Sequence, residues 1–243
     1  MLAALGSIAT QQASPTANTM RKIKQLLDYA VTHPDAAVTY RESNMVLAAH
    51  IDASYLSEKN TRSRAGEHLF MTSDIAIPEN NGVVHTVAQI IKTLMSYAAE
   101  AELGALYINC REEIPARHLL EAMGHHKPAT PTQTNNSTAL GVVTNKIIPK
   151  RTKAMDMRFH WLRCRANQRQ FRNYWRAGPT NKVDYVTKYH AASHHKNVRA
   201  DYLTPINRLE QLRHHIQTRI TGLASHVNKV ARASFTKSAA RVC

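Results

Sequence analysis

The alternation of apolar and polar residues is interrupted at residues 45–55, MVLAAHIDASY, where a continuous apolar run ends in a single acid, Asp52. Such a run is typical of a strand buried on both faces, as in the centre of a sheet that helices cover. A carboxylate buried there needs a cation, a metal or amide donors nearby. Asp52 is therefore a candidate functional residue, and the alternative is that it only caps the turn into Ala53 and Ser54.

Two further strands follow the Asp52 strand with short connections. The pattern predicts a strand over 66–72 and another over 83–91, and residues 73–82 between them carry the turn signals Pro78 and Asn80-Asn81-Gly82. Three successive strands with short links predict an antiparallel meander whose first member carries Asp52.

Residues before this strand predict an amphipathic helix over 19–31, with Thr19 in the capping position, and a short strand over 37–40. After the meander, the period changes to that of a helix over 96–109. Pro115 is expected to break or kink it, with two more turns over 116–123. Glu100 is explained by its place near the helix start, whereas Glu102 stands among apolar residues and is expected to face inward.

The rest of the chain adds the elements of an α/β fold. The pattern predicts, in order, a strand leading to Thr132–Asn136, a helix over 137–145, a helix with the stripe Met155, Phe159, Leu162 and Ala166, a strand over 170–175, and a helix over 181–189 that bears Asp184. This order contains five strands and four helices, and one principal domain is expected. The 243 residues, 43% of them hydrophobic, suffice for its core.

Charge adds a candidate partner. The formal net charge is +15, and the basic excess after Lys146 is interleaved with aromatic residues. Cations beside aromatic rings suit a phosphate backbone and stacked bases. The candidate nucleic-acid contacts are Arg158, Arg163, Arg165, Arg172, Arg176 and Trp161. The alternative is a solvated basic surface on an ordinary domain.

The chain carries no sign of a membrane segment or an export signal. Its longest uncharged stretch, residues 1–19, is too polar for a bilayer helix and has no basic region before its apolar part. The three cysteines are far apart and without CxxC spacing, which argues for reduced thiols. We therefore expect an intracellular chain without membrane contact.

Four segments of the sequence resemble the ribonuclease H portion of copia-type retrotransposon Pol polyproteins. They are AAEAELGAL from Ala98, PTQTNNSTA from Pro131, RTKAMDMRFHWLR from Arg151 and TNKVDYVTKYHAASHH from Thr180. Residues 18–40 include LLDYAVTHPDAAVTY, which resembles the tail of the preceding reverse transcriptase. The resemblance implies a reverse-transcriptase tail over 1–43 and a ribonuclease H-like domain over 44–203. It implies an α/β fold with a mixed five-stranded sheet, its first three strands antiparallel, flanked by helices, which matches the order of the elements. The pattern of apolar and basic residues predicts an amphipathic tail over 204–243, which the resemblance does not explain.

The resemblance also implies a chemistry, the hydrolysis of the RNA strand of an RNA–DNA hybrid with two Mg²⁺ ions, or Mn²⁺, held by four acids. Three of these positions fall on Asp52, Glu102 and Asp184, which become the candidate metal ligands. The family places the domain beside its reverse transcriptase, in cytoplasmic virus-like particles or the nucleus. The chain lacks a polymerase palm and protease or integrase motifs.

The fourth acidic position departs from the family pattern, because this chain has Asn135-Asn136 where the family has Asp-Asn. An amide keeps an oxygen ligand but lacks the negative charge, which at about 4 Å and an effective dielectric of 20 is worth roughly 4 kcal/mol before desolvation. The sequence therefore predicts a nuclease with weakened metal binding and impaired cleavage, unless Asp156 or Glu100 compensates. The alternative is a non-catalytic nucleic-acid-binding or structural remnant of a polyprotein.

The histidines are weaker candidates. Three adjacent pairs, at 125–126, 194–195 and 214–215, lack the spacing of zinc ligands on one helix face. The resemblance leaves room for His190, His194 or His195 near the scissile phosphate, and surface positions are the alternative.

Overall fold

The computed structural model describes residues 1–147 and 156–206 of the chain. In chain order the regular elements are α1 (Leu2–Ala9), α2 (Ala17–Val31), β1 (Ala36–Ala37), β2 (Val46–Glu58), β3 (Arg62–Thr72), β4 (Val83–Ile91), α3 (Ala98–Ala122), β5 (Thr130–Thr134), α4 (Ser137–Val143), α5 (Asp156–Asn167), β6 (Phe171–Trp175), α6 (Asp184–Thr187), α7 (Ala192–Arg199) and β7 (Thr204–Pro205). The expectations for the basic link 149–153, for Met155 and for the tail after residue 206 lie outside the described residues.

The main sheet has five strands in the order β4-β3-β2-β5-β6. The pairs β2–β3 and β3–β4 are antiparallel, whereas β2–β5 and β5–β6 are parallel. The predicted fold class is therefore confirmed, an α/β domain with a mixed five-stranded sheet whose first three strands are antiparallel. The Asp52 strand, β2, is the central one.

The two faces of β2 have different neighbours because successive side chains point to opposite sides. Leu47 and Ile51 belong to one apolar core with Leu103 of α3 and Leu162 of α5, which confirms the predicted stripe of that helix. On the other face, the Asp52 carboxylate meets α6. Burial on both faces from Val46 to Ser54 explains the apolar run with which β2 begins.

The N-terminal region differs from its prediction in two ways. The cap of α2 is Thr16, whose hydroxyl accepts a hydrogen bond from the amide of Thr19; Thr19 is the third helical residue of a capping box. Helix α1 is not foreseen by the sequence pattern, and it packs against β4 and α6.

No helix within residues 1–147 and 156–206 is long and apolar enough to cross a bilayer.

Helix α3 runs without a break through Pro115, so the predicted interruption is wrong. Proline removes one backbone hydrogen bond. The residues on both sides of it, Cys110, Glu113, Arg117 and Leu120, are buried against the rest of the domain. Packing of both halves on one surface outweighs the lost bond.

The C-terminal elements are shorter than predicted. The helix expected over 181–189 is reduced to the four residues of α6, and a separate helix, α7, follows it. The strand expected over 37–40 is the two-residue β1, which pairs with β7 rather than with the main sheet. This pairing joins the proposed reverse-transcriptase tail to residues 204–205, and the domain boundaries stay predictions.

Candidate active site

Parallel pairing of β2 with β5 positions the first two candidate residues. Ala49 pairs with Thr132 and His50 with Gln133, and the same offset of 83 residues separates Asp52 from Asn135. The side-chain amide of Asn135 donates a hydrogen bond of 2.9 Å to Oδ1 of Asp52. The register of the sheet therefore places the two side chains together, as their sequence positions predict.

Helix α3 brings Glu102 to the same place. Glu102 is only 6% exposed, and its Oε1 accepts a hydrogen bond of 3.4 Å from the amide of Ala53, next to Asp52. Its other oxygen, Oε2, is buried without a hydrogen-bond partner. The prediction that Glu102 faces inward is confirmed.

Glu100, one of the two suggested substitutes for the missing acid, has a different role in the structure. The Glu100 carboxylate accepts a hydrogen bond of 2.6 Å from the amide of Ser96 at the start of α3. Glu100 therefore satisfies the helix end, as a carboxylate near a helix N-terminus does. The side chain of Asp156 lies outside what the structure describes.

Helix α6 supplies three polar side chains that belong to one face because they are three and four residues apart. Thr187 donates a hydrogen bond of 2.6 Å to Oδ2 of Asp52. The ammonium group of Lys188 donates to Oδ1 of Asp184 at 2.7 Å and lies 3.9 Å from Oδ2 of Asp52. Lys188 is thus the cation between two carboxylates at this site.

The electrostatics of the site follow from burial and crowding. Burial, followed by the negative charge of Asp184, raises the pKa of Asp52 to about 7, although Lys188 and the Thr187 hydroxyl oppose this rise. Burial and the neighbouring Asp52 raise the pKa of Glu102 well above its ordinary value. Burial alone would lower the pKa of Lys188, but Asp52, Asp184 and Glu102 together raise it.

Two residues at the end of β6 flank the site. The indole N–H of Trp175 donates a hydrogen bond of 3.0 Å to the carbonyl oxygen of Asn135, and the backbone amide of Arg176 donates to the carbonyl of Thr134. Trp175 is 49% exposed. Sequence reasoning did not include Trp175, Thr187 or Lys188 among the site residues. The spacing of Thr187 and Lys188 from Asp184 is the signal that could have found the last two.

Three of the predicted nucleic-acid contacts lie together on α5. The guanidinium of Arg165 lies 5.3 Å from the ring centre of Trp161, which meets Tyr107 of α3 edge to face at 5.4 Å. Arg158 lies over the other aromatic ring, 5.6 Å from the centre of Tyr107. Cations and aromatic rings are thus brought together, as the sequence suggested, and their contact with nucleic acid stays a prediction.

Two other predicted contacts hold parts of the domain together. Arg163 donates hydrogen bonds to the carbonyls of Val142 at 2.7 Å and Ile147 at 3.0 Å. Arg172 donates to the carbonyls of Ile75 and Ala76, at 3.1 and 3.0 Å, in the connection between β3 and β4. Arg176 is the predicted contact nearest to Asn135 in the sheet.

The histidines after α6 have partners within the domain. The Nε2 atom of His190 lies 2.8 Å from the carbonyl oxygen of Asp184, and His194 stacks on His190. His195 forms a hydrogen bond with the Tyr29 hydroxyl. No set of three His, Cys, Asp or Glu side chains within residues 1–147 and 156–206 is arranged to hold a metal ion.

The strand order and the mixed pairing agree with the ribonuclease H-like fold that the sequence resemblance implies. The chain is 23% identical over 185 residues, 76% of its length, to the retrovirus-related Pol polyprotein from transposon TNT 1-94 of Nicotiana tabacum. This similarity confirms the resemblance to retrotransposon Pol polyproteins. The chain spans 13% of the length of that relative.

Two solved structures similar to the chain are named as RNase H proteins, and a third is named as a protease–reverse transcriptase. An N-terminal RNase H domain from Mycobacterium tuberculosis, fused to maltose-binding protein, is 12% identical, with 64% of this chain and 96% of that chain covered and a TM-score of 0.43. LC11-RNase H1 from compost is 12% identical, with 58% of this chain and 91% of that chain covered and a TM-score of 0.42. The protease–reverse transcriptase of prototype foamy virus is 12% identical, with 66% of this chain and 20% of that chain covered and a TM-score of 0.36. No family model matches the chain, and the fold assignment depends on the strand order rather than on these distant likenesses.

Proposed function

We propose that this chain is a ribonuclease H-type domain of a retrotransposon Pol polyprotein, which binds RNA–DNA hybrid and hydrolyses its RNA strand weakly or not at all. The fold, the similarity to a Pol polyprotein and the net charge of +15 support the binding role. The observation that supports weak or absent hydrolysis is the hydrogen bond from the Asn135 amide to Asp52.

That hydrogen bond has a specific chemical meaning. A carboxylate at position 135 would bring two carboxylate oxygens to about the same separation, which is favourable only with a cation or a shared proton between them. The Asn135 amide instead presents a donor to Asp52 and needs no cation. The substitution therefore turns a pair that would attract a metal into a pair that is satisfied without one.

The residues present do not fit a centre for two divalent ions. Asp52, Glu102 and Asp184 remain as possible oxygen ligands, and Oε2 of Glu102 has no hydrogen-bond partner that would compete with a metal ion. However, the Lys188 ammonium already lies against Asp52 and Asp184, and metal sites of this kind normally rely on carboxylates to offset the ion's charge. We therefore assign no metal-dependent step to the chain as it stands.

The described side chains support binding rather than bond cleavage. Lys188 offsets the charge of Asp52 and Asp184, which would otherwise repel a phosphate backbone, and Thr187 holds the Asp52 carboxylate in place. Trp175 offers an exposed ring beside the site, on which a base or sugar can stack.

The test is cleavage of a labelled RNA–DNA hybrid in Mg²⁺ or Mn²⁺ by the native chain and by Asn135→Asp, with Mn²⁺ binding measured calorimetrically on both. Asn136→Asp is the matched control, because it adds the same charge one residue away. Asn136 caps α4 through its side-chain oxygen, a role that aspartate also fills.

We expect Mn²⁺ binding and cleavage to increase in Asn135→Asp and to be unchanged in Asn136→Asp. Robust Mg²⁺-dependent cleavage by the native chain would show that the proposal of impaired cleavage is wrong. If neither the native chain nor Asn135→Asp cleaves but both bind hybrid, the second hypothesis, a non-catalytic binding remnant, is favoured. The position of Lys188 between two carboxylates is the observation that supports this second hypothesis.

A further inference from the structure

A cavity of about 440 Å³ lies between α1 and α2 on one side and the α6–α7 region on the other. Ser7, Lys22 and Tyr29 line it from the N-terminal side, and Tyr185, Lys188 and His195 line it from the opposite side. Its volume is within the range of roughly 300–1,000 Å³ that is usual for small-molecule sites. Since Lys188 also contacts Asp184, the cavity adjoins the candidate active site.

One wall of the cavity is built from nearly parallel aromatic rings. Tyr185 stacks on His195, with ring centres 5.3 Å apart and planes 18° apart. Tyr202, which does not line the cavity, also stacks on Tyr185, at 5.5 Å and 10°. His195 is held by a hydrogen bond of 2.7 Å with the Tyr29 hydroxyl. Burial and neighbouring positive groups lower the pKa of His195, which favours the neutral ring. Fixed, neutral, stacked rings are a surface suited to a flat aromatic ligand.

The charge of the lining selects an anion. It includes Lys22 and Lys188, and among its described residues there is no aspartate or glutamate. Lys22 is exposed on α2, whereas Lys188 is half-buried with its ammonium directed toward Asp184. A ligand with a planar ring and a phosphate group would match both the aromatic wall and the lysine of α2.

We propose that this cavity binds a nucleoside phosphate, with its base against the ring of Tyr185 or His195 and its phosphate near Lys22. The ligand is either a free mononucleotide or one nucleotide of a single strand. This binding goes beyond the proposed function of the acidic site and does not require hydrolysis there.

The experiment is calorimetric titration of the full chain with adenosine 5′-monophosphate, with adenosine, and with a single-stranded oligodeoxyadenylate. Lys22→Ala removes the cation on the cavity side of α2, and Lys24→Ala is its control, because Lys24 pairs with Asp28 and does not line the cavity. Ala4→Phe fills the cavity from α1. Thermal unfolding of each variant shows whether it is folded.

We expect saturable binding of the monophosphate that Lys22→Ala weakens roughly three- to fivefold, that Lys24→Ala leaves unchanged and that Ala4→Phe abolishes. Adenosine should bind more weakly, with no effect of Lys22→Ala. Competition by the oligonucleotide identifies a strand as the ligand, and binding of the monophosphate alone identifies a free nucleotide. The proposal would be overturned if neither the monophosphate nor the oligonucleotide bound at millimolar concentration. It would also be overturned if folded Ala4→Phe bound the monophosphate as tightly as the native chain.

Discussion

Asn135 and Asp52 face each other across two parallel strands with the amide nitrogen of one 2.9 Å from the carboxylate of the other. Because the register of β2 and β5 fixes this relationship, aspartate at position 135 would occupy the same place with a different charge. The effect of that single change on metal binding is therefore separable from effects on the fold.

The hydroxyl of Thr187 is expected to stabilise the ionised form of Asp52. Thr187→Val keeps the shape of the side chain and removes the donor, and Thr187→Ser keeps the donor and loses a methyl group. At pH 8, above the Asp52 pKa of about 7, we expect Thr187→Val to lower the free energy of unfolding by about 1.5–3 kcal/mol. At pH 5, where Asp52 is protonated, the loss should be smaller.

Urea unfolding of the two Thr187 variants at pH 5 and pH 8 checks this expectation. Thr187→Ser should show little change of its deficit with pH. A pH-independent deficit in Thr187→Ser, with none in Thr187→Val, would mean that the methyl group, not the hydroxyl, is the contact that matters.

Gly66 is expected to be the position on β3 that lets α6 approach the sheet. It pairs with Asp52, and a Cβ atom there would lie 2.2 Å from Cγ2 of Thr187 and 2.9 Å from Cγ2 of Val186. Gly66→Ala should therefore displace α6 and lower the free energy of unfolding by about 1–3 kcal/mol.

Gly178→Ala is the control for this substitution, because a Cβ atom at Gly178 has no neighbour within 4 Å. Thermal unfolding should show a drop of several degrees for Gly66→Ala and almost none for Gly178→Ala. Equal midpoints for the two variants would show that α6 can move aside at no cost.

Two buried carboxylates on the α3 side of the sheet should make stability depend on pH. Burial raises the pKa of Glu67 to about 7, and burial together with Glu67 raises that of Glu113 well above its ordinary value. A folded-state pKa above the unfolded value means that the folded chain holds the proton more tightly. These groups therefore destabilise the fold progressively as the pH rises from about 4.5 through 7.

Glu113→Gln imitates the protonated form. We expect its free energy of unfolding to match the native value at pH 5 and to exceed it by about 1 kcal/mol or more at pH 8. Glu121→Gln, on the exposed side of the same helix, should show no such trend. Denaturant titrations at several pH values measure the difference, and a Glu113→Gln variant that is less stable than the native chain at pH 8 would contradict this account.

Arg163 and Arg176 are expected to act in different ways, although both were candidates for nucleic-acid contact. Arg163→Ala removes hydrogen bonds to two backbone carbonyls and should cost about 1–3 kcal/mol of stability with hybrid affinity unchanged. Arg176→Ala should leave stability unchanged, weaken hybrid binding and reduce the salt dependence by about one counterion. Fluorescence anisotropy over a salt series, below the unfolding temperature, distinguishes them, and the reverse pattern would show that the roles are exchanged.

Much of the site could be predicted from sequence because its positions depend on local patterns. Asp52 ends an apolar run and Glu102 interrupts the buried face of a helix, whereas Asn135 and Asp184 were found only through the resemblance to the ribonuclease H portion of Pol polyproteins. The signals at Asp52 and Glu102 depend on a strand or helix period together with burial, which the chain expresses within about ten residues.

The residues that surround these positions could not be predicted in the same way. Thr187 and Lys188 meet Asp52 because α6 packs on Gly66, a contact between segments far apart in the chain. Pro115 also misled the pattern, because the free energy gained by packing both halves of α3 does not depend on the local sequence around the proline. Tertiary contacts, rather than propensity, decide such positions.

The pairing of β1 with β7 determines the order in which this molecule can be completed on the ribosome. Ala36 emerges early, but its partner Pro205 follows all five strands of the main sheet. The main sheet consists of strands within residues 46–175. The β1–β7 pair that follows the N-terminal helices cannot form until synthesis has passed residue 205. The cavity between α2 and α7 is therefore one of the last features of the domain to take shape.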